Sequence, residues 1–117
     1  MSFEERGAKA MARYGKESTL APRAVLRLAR EFFGPGSELG LSLTQDSLIA
    51  VAFAGSGGMV EVSARPNPGD PQRTDVSILS IEFDFWAEEF LVLLANAEHG
   101  PNLVVRLARW LAQRAKR

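Results

Sequence analysis

The chain has 117 residues, no cysteine, and fourteen basic side chains balanced by fourteen acidic ones. With 46% hydrophobic and 24% charged residues it has the make-up of a soluble globular protein, which excludes a disordered tail, a collagen-like chain and a disulfide scaffold. The length suits a single domain over residues 1–117, large enough for a core built without metals or disulfides.

The charges are segregated. Residues 1–34 are net basic, residues 35–100 strongly acidic, and residues 101–117 carry five basic side chains and no acidic one. Arginine dominates over lysine and alanine is abundant, a usage common in proteins from GC-rich bacteria. The opening residues are charged from the start and show no apolar signal core, and the apolar run at residues 90–95 is, like every other in the chain, too short to cross a bilayer. The expectation is a cytoplasmic protein with no membrane contact.

In chain order, Phe3, Gly7, Ala10, Met11 and Tyr14 recur at helical spacing, and Ser2 with Glu5 has the spacing of a capping box; these predict a helix over 2–14 with a stop at Gly15. Pro22 suits the first position of a second helix, whose apolar stripe is Val25, Leu28, Ala29 and Phe32 and whose end is Gly34-Pro35-Gly36. The period then changes to two. Leu39, Leu41 and Leu43 alternate with small polar residues, Ile49, Val51 and Phe53 form one face of a second strand, and Val60, Val62 and Ala64 one face of a third, across the hairpin Gly55-Ser56-Gly57-Gly58. The proline-rich stretch 66–73 reads as a surface loop. A fourth strand over 75–83 shifts parity between Ile78 and Leu79, which predicts a bulge there or burial on both faces. Asp84 is the expected cap of a third helix reaching Ala97, with Trp86, Phe90 and Leu94 packed onto Val51, Phe53 and Val62 of the sheet. His99-Gly100-Pro101 separates it from a last helix with Leu103, Leu107, Trp110 and Leu111 on one side and arginine on the other. The expected fold is therefore α+β: a four-stranded antiparallel meander with two N-terminal and two C-terminal helices, in the order α-α-β-β-β-β-α-α.

Catalytic motifs are thin. His99 stands beside a turn, no serine lies in a strained elbow, and a helix-terminal role for this histidine accounts for its position. Glu82, Asp84, Glu88 and Glu89 crowd a strand-to-helix junction, where capping and the helix dipole select carboxylates without any metal; they leave only a weak enzyme hypothesis, in which oxygen ligands hold a cation or a carboxylate acts as acid or base. The glycine-rich segment 55–58 is followed by strand residues, so it lacks the helix that a phosphate cradle needs. No catalytic residue, cofactor or metal is expected.

Two positive signals remain. Arg23, Arg27 and Arg30 form one helical stripe, and Arg106, Arg109 and Lys116 another; each is a candidate contact for a protein partner or an anion. Zero net charge disfavours nucleic acid as the dedicated ligand. Small residues, Ala50 and Ala52 among them, lie on the sheet face opposite the large apolar ones, and Leu91 widens the apolar side of the third helix; these three residues are the candidate dimer contacts. No motif is specific to a family. By size and order alone the chain is comparable with small bacterial secretion chaperones, immunity proteins and adaptors, which leaves function open. The reading is a non-enzymatic protein acting through protein–protein contacts, as a homodimer and with a protein partner of unknown identity. The alternative is a small-molecule or nucleic-acid binding module using a sheet–helix cleft or the arginine stripes.

Overall fold

The computed structural model describes residues 10–99. Strand β1 (Met11–Ser18) leads into helix α1 (Pro22–Phe33). Four strands follow, β2 (Ser42–Asp46), β3 (Ala50–Gly55), β4 (Gly58–Asn67) and β5 (Asp70–Ile81), and then helix α2 (Asp84–Ala97). The strands make one antiparallel sheet in the order β1-β5-β4-β3-β2. The class is α+β, but the expected four-stranded meander between two pairs of helices is overturned: among the described residues there are five strands and two helices. The expected last helix lies outside the described residues.

The fifth strand replaces the end of the expected first helix. In Met11–Ser18, side chains alternate between exposed (Met11, Arg13, Gly15, Glu17) and covered (Ala12, Tyr14, Lys16, Ser18). Ala10, Met11 and Tyr14 also fit a helical template, so the local pattern is ambiguous. Tertiary pairing decides, because Met11 through Ser18 give the outer edge of β5 an unbroken register from Ile81 to Thr74. The strand leads into α1 through a clamped corner. Leu20 N–H donates to Ser18 Oγ (3.1 Å), and the buried Thr74 hydroxyl of β5 donates to the Leu20 carbonyl (2.6 Å). Pro22 then opens α1 at the first turn, where a missing N–H costs nothing.

The stretch read as a surface loop, 66–73, is instead the tip of a long hairpin. β4 runs on to Asn67 and β5 starts at Asp70. The Asn67 side chain makes the turn, its Oδ1 accepting from Gly69 N–H (2.8 Å) and Asp70 N–H (3.0 Å). Pro66 is tolerated because the register is irregular between Pro66 and Asn67. The expected bulge at Ile78–Leu79 is absent from the β5 pairings. Val76, Ile78 and Ser80 face the helices, and Leu79 and Ile81 are half-buried on the other side. The second irregularity falls in β2, between Leu43 and Gln45.

Both helices lie on one face of the sheet, α1 over β3 and β4, α2 over β1 and β5. The third expected helix is thus real; it runs over β1 and β5, and its Phe90 and Leu94 share one buried cluster with Val51, Phe53 and Val62 of the sheet. Rings of α1 link the two. The Phe33 ring lies 5.7 Å from Phe53 of β3 and 5.4 Å from Phe90 of α2, and Phe32 lies 5.6 Å from Phe90. Replacing Phe90, which is fully buried, with alanine should lower the unfolding free energy by about 3–5 kcal/mol in denaturant titration.

Two turns set the outline of the sheet. The β3–β4 hairpin closes through Ser56 and Gly57, with φ of 53° and 83°, as a type I′ turn demands. Next to it, Gly58 passes under the β5–α2 corner, where a Cβ would overlap the Ile81 carbonyl and stand 2.9 Å from the Phe83 ring. That corner holds Glu82 at φ 74°, a left-handed conformation unfavourable for a side-chain-bearing residue. Buried Ser80 anchors it, accepting from Phe83 N–H (3.2 Å) and donating to Asp84 Oδ1 (3.0 Å). Because Glu82 is exposed and its conformation suits glycine, Glu82→Gly should raise stability by about 0.5–1 kcal/mol, read as a higher denaturant midpoint at unchanged slope.

Candidate functional site

The register defines the sheet face turned away from the helices. One row crosses all five strands: Arg13, Leu79, Glu61, Ala52 and Gln45. The next row is Gly15, Ser77, Ser63 and Ala50, and beyond it lie Glu17, Asp75 and Arg65. The middle row is small, so the face is hollowed across the strands between longer side chains. The resulting concavity has a volume of about 280 Å³ and is lined by Arg13, Glu61, Ser63, Arg65, Ser77 and Leu79, with Gln45, Ile49 and Ala50 at the β2–β3 end.

Charge on this face is handled in two ways. At the hairpin tip it is neutralised locally: Arg73 Nε donates to Glu17 Oε1 (2.9 Å), and Asn67 Nδ2 donates to Asp75 Oδ1 (2.9 Å) and to Glu17 Oε2 (3.3 Å). In the concavity it is not. The side chains of Arg13, Glu61 and Arg65 make no hydrogen bond or ion pair among the described residues. The concavity therefore presents two guanidinium groups and one carboxylate whose hydrogen-bonding capacity is directed outward.

The residues singled out in the sequence are dispersed. Ala50 and Ala52 lie on this face at the β3 end, but each is only 4% exposed. Leu91 is turned against the core cluster, and the exposed large apolar residues of α2 are Phe85 and Val92, about half exposed. Arg23 and Arg27 are exposed on α1, on the opposite side of the sheet from the concavity, and have no ion pair among the described residues. Arg30 is committed to Asp46 of β2, with Nη2 at 2.6 Å from Oδ1. Arg106, Arg109 and Lys116 lie outside the described residues. The carboxylates Glu82, Asp84, Glu88 and Glu89 do not converge as a metal-ligand set among the described residues. His99 is exposed just past α2, its N–H donating to the Asn96 carbonyl (3.1 Å). No helix among the described residues is long and apolar enough to cross a membrane.

Sequence reasoning missed Arg13 and Arg65. For Arg13 a signal existed: once 11–18 is read with period two, Arg13 and Glu17 separate from Ala12, Tyr14 and Lys16 and fall on the face of Glu61. Arg65 alternates with Val62 and Ala64 and so falls on the face opposite them, but its lack of an ionic partner among the described residues follows only from the three-dimensional arrangement.

No protein-family model matches the chain, and no curated protein does. A crystal structure of a Deinococcus radiodurans protein, solved as a structural-genomics target, is similar in fold. It superposes with a TM-score of 0.58 at 16% identity, over 79% of this chain and 100% of that one. The likeness concerns the fold alone.

One titratable group on the helix-covered face is perturbed. Tyr14 of β1 is partly buried against the core, and burial first, then the carboxylates of Asp84 and Glu88, raises its phenol above the ordinary value of 10.0. A raised acid keeps its proton longer in the folded state than in the unfolded one. Its contribution is intact below pH 10 and is lost as pH rises through the folded-state value. Tyr14→Phe should therefore flatten the alkaline fall in stability above pH 10, seen by thermal melts at stepped pH; an unchanged alkaline slope would assign that fall to other groups.

Proposed function

We propose that this chain is a cytoplasmic, non-enzymatic protein-contact domain that works as a homodimer and offers its open sheet face to a protein partner. The observation that carries this reading is the one-sided sheet: both described helices cover the same face, and the other holds a shallow concavity with three charged side chains unpartnered among the described residues. Unpaired charge spread over a broad surface suits a macromolecular contact, where complementary charges fix orientation and speed encounter. A small-molecule site is less well supported. At about 280 Å³ the concavity lies at or below the low end of ligand pockets, and its lining is mostly polar where such pockets are mostly apolar. Of the α1 stripe, with Arg30 spent on Asp46, only Arg23 and Arg27 are left among the described residues, a narrow footprint for nucleic acid, and the chain carries no net charge.

A two-fold pair covers one patch on both chains with a single contact and is the commonest oligomeric arrangement. Light scattering on the full chain at micromolar concentration should report twice the chain mass. A single-chain mass across that range would overturn the homodimer.

A further inference from the structure

We infer that the second copy joins at the outer edge of β1, antiparallel, with Gly15 opposite Gly15 of the partner subunit. This rests on the homodimer reading and places its contact.

The sheet has two outer strands among the described residues, β1 and β2. They differ in their fitness to accept another strand. β2 is five residues long and its register is broken between Leu43 and Gln45, the kind of irregularity that turns an edge away from pairing. β1 is eight residues long, contains no proline and keeps unbroken register with β5 along its whole length. On its outer side its backbone groups have no backbone partner among the described residues. A straight edge of this length is a ready template for one more strand.

Symmetry limits the register. A two-fold axis that pairs two copies of one antiparallel strand stands perpendicular to the sheet and keeps each side chain on its own face. It therefore passes midway between a residue and its own copy. With the axis at Lys16, two ammonium groups face each other. With the axis at Tyr14, Glu17 faces the partner's Met11 and Arg13 faces the partner's Gly15, so no charge is matched. With the axis at Gly15, Arg13 lies opposite the partner's Glu17 and Glu17 opposite the partner's Arg13, both on the open face. On the helix-covered face the same register sets Tyr14 opposite the partner's Lys16 in both directions. Directly opposed residues are close enough for each pair to interact.

The contents of the strand agree with this register. Arg13 is exposed and has no ionic partner within the described residues. Glu17 is half exposed on the same face, and its contacts with Arg73 and Asn67 leave its carboxylate able to accept from a second guanidinium. At the axis, where any side chain would meet its own copy, the residue is glycine. The joined sheets would be continuous, with all described helices on one side and the two open faces merged on the other.

Sedimentation equilibrium on the full chain and three variants tests this. Arg13→Glu and Glu17→Arg should each weaken the dimer at least tenfold, and the double variant Arg13→Glu/Glu17→Arg, which restores the opposed pairs, should return to within about threefold of wild type. A second measurement uses the absence of cysteine in the chain. Gly15→Cys should form a disulfide-linked dimer on mild oxidation, because opposed residues of antiparallel strands have the Cα separation a disulfide needs. The new Cβ meets no neighbour closer than the Val76 carbonyl oxygen at 3.7 Å. A wild-type dimer that both single variants leave intact would overturn this placement while preserving the homodimer. So would cross-linking of Gly15→Cys no faster than that of a cysteine at exposed Arg27. A monomeric wild type would overturn both.

Discussion

The ring of Phe33 is the contact on which the rest of the arrangement depends. It is fully buried at the end of α1, 5.7 Å from Phe53 in β3 and 5.4 Å from Phe90 in α2, and it meets Phe32 edge-on at 4.9 Å. Rings packed in tilted and edge-to-face pairs add to the burial of their own area. Here they also fix geometry. α1 and α2 touch the sheet over different strands, and the aromatic cluster makes them one layer on one face. The sheet's other face is then free to carry polar and charged residues. Alternation along β4 follows directly, with Val60, Val62 and Ala64 buried and Glu61, Ser63 and Arg65 turned outward.

The chain path has a related constraint. β1 and β2 are opposite edges of the sheet, so α1 must carry the chain across the face between them. The clamp of Ser18, Leu20 and Thr74 starts that crossing, and the Arg30–Asp46 ion pair ties the helix to the β2 edge near its end. An exposed ion pair is worth little in stability. Its consequence is positional: it removes one arginine from the α1 stripe and leaves the other two on the side remote from the concavity. At the far edge, Lys16 of β1 pairs with Glu98 just beyond α2 at 3.1 Å, holding that helix end over the strand. Each flank of the helical layer is thus fastened to an edge strand by one ion pair.

What was legible in the sequence follows the strength of the periodic signal. α1 was plain from Pro22, a clean apolar stripe and the Gly34-Pro35-Gly36 stop. α2 was plain from its length and apolar face. β3 and β4 were plain because a glycine hairpin joins two alternating runs. β1 was not. Its only large ring is Tyr14, and a covered side dominated by short or polar residues offers a helical reading almost as good. The hairpin tip was hidden by its prolines, which mark a loop unless a side chain such as Asn67 supplies the turn and the ladder is already irregular. Leu91 looked like spare apolar surface, because a helix with little polar surface does not say which side meets the sheet. The candidate surface was less visible still, since its concavity needs Arg13 on a strand and β1 beside β5, and neither follows from local spacing.

The residues that make the open face distinctive contribute little to holding the fold together. Arg13, Glu61 and Arg65 stand outside the buried cluster, and an exposed or half-exposed charge has no part in its packing. Folding constrains other positions: Gly58 under the β5–α2 corner, Ser80 inside it, and the rings between the helices. A sheet of this kind would fold as well with alanine or threonine at those three charged positions. Their type, and their lack of ionic partners among the described residues, are therefore what folding leaves unexplained. That is also why a shared fold at 16% identity says nothing of the contact. The functional reading rests on the charges themselves and on β1, which brings Arg13 to the open face and leaves its own outer edge free among the described residues.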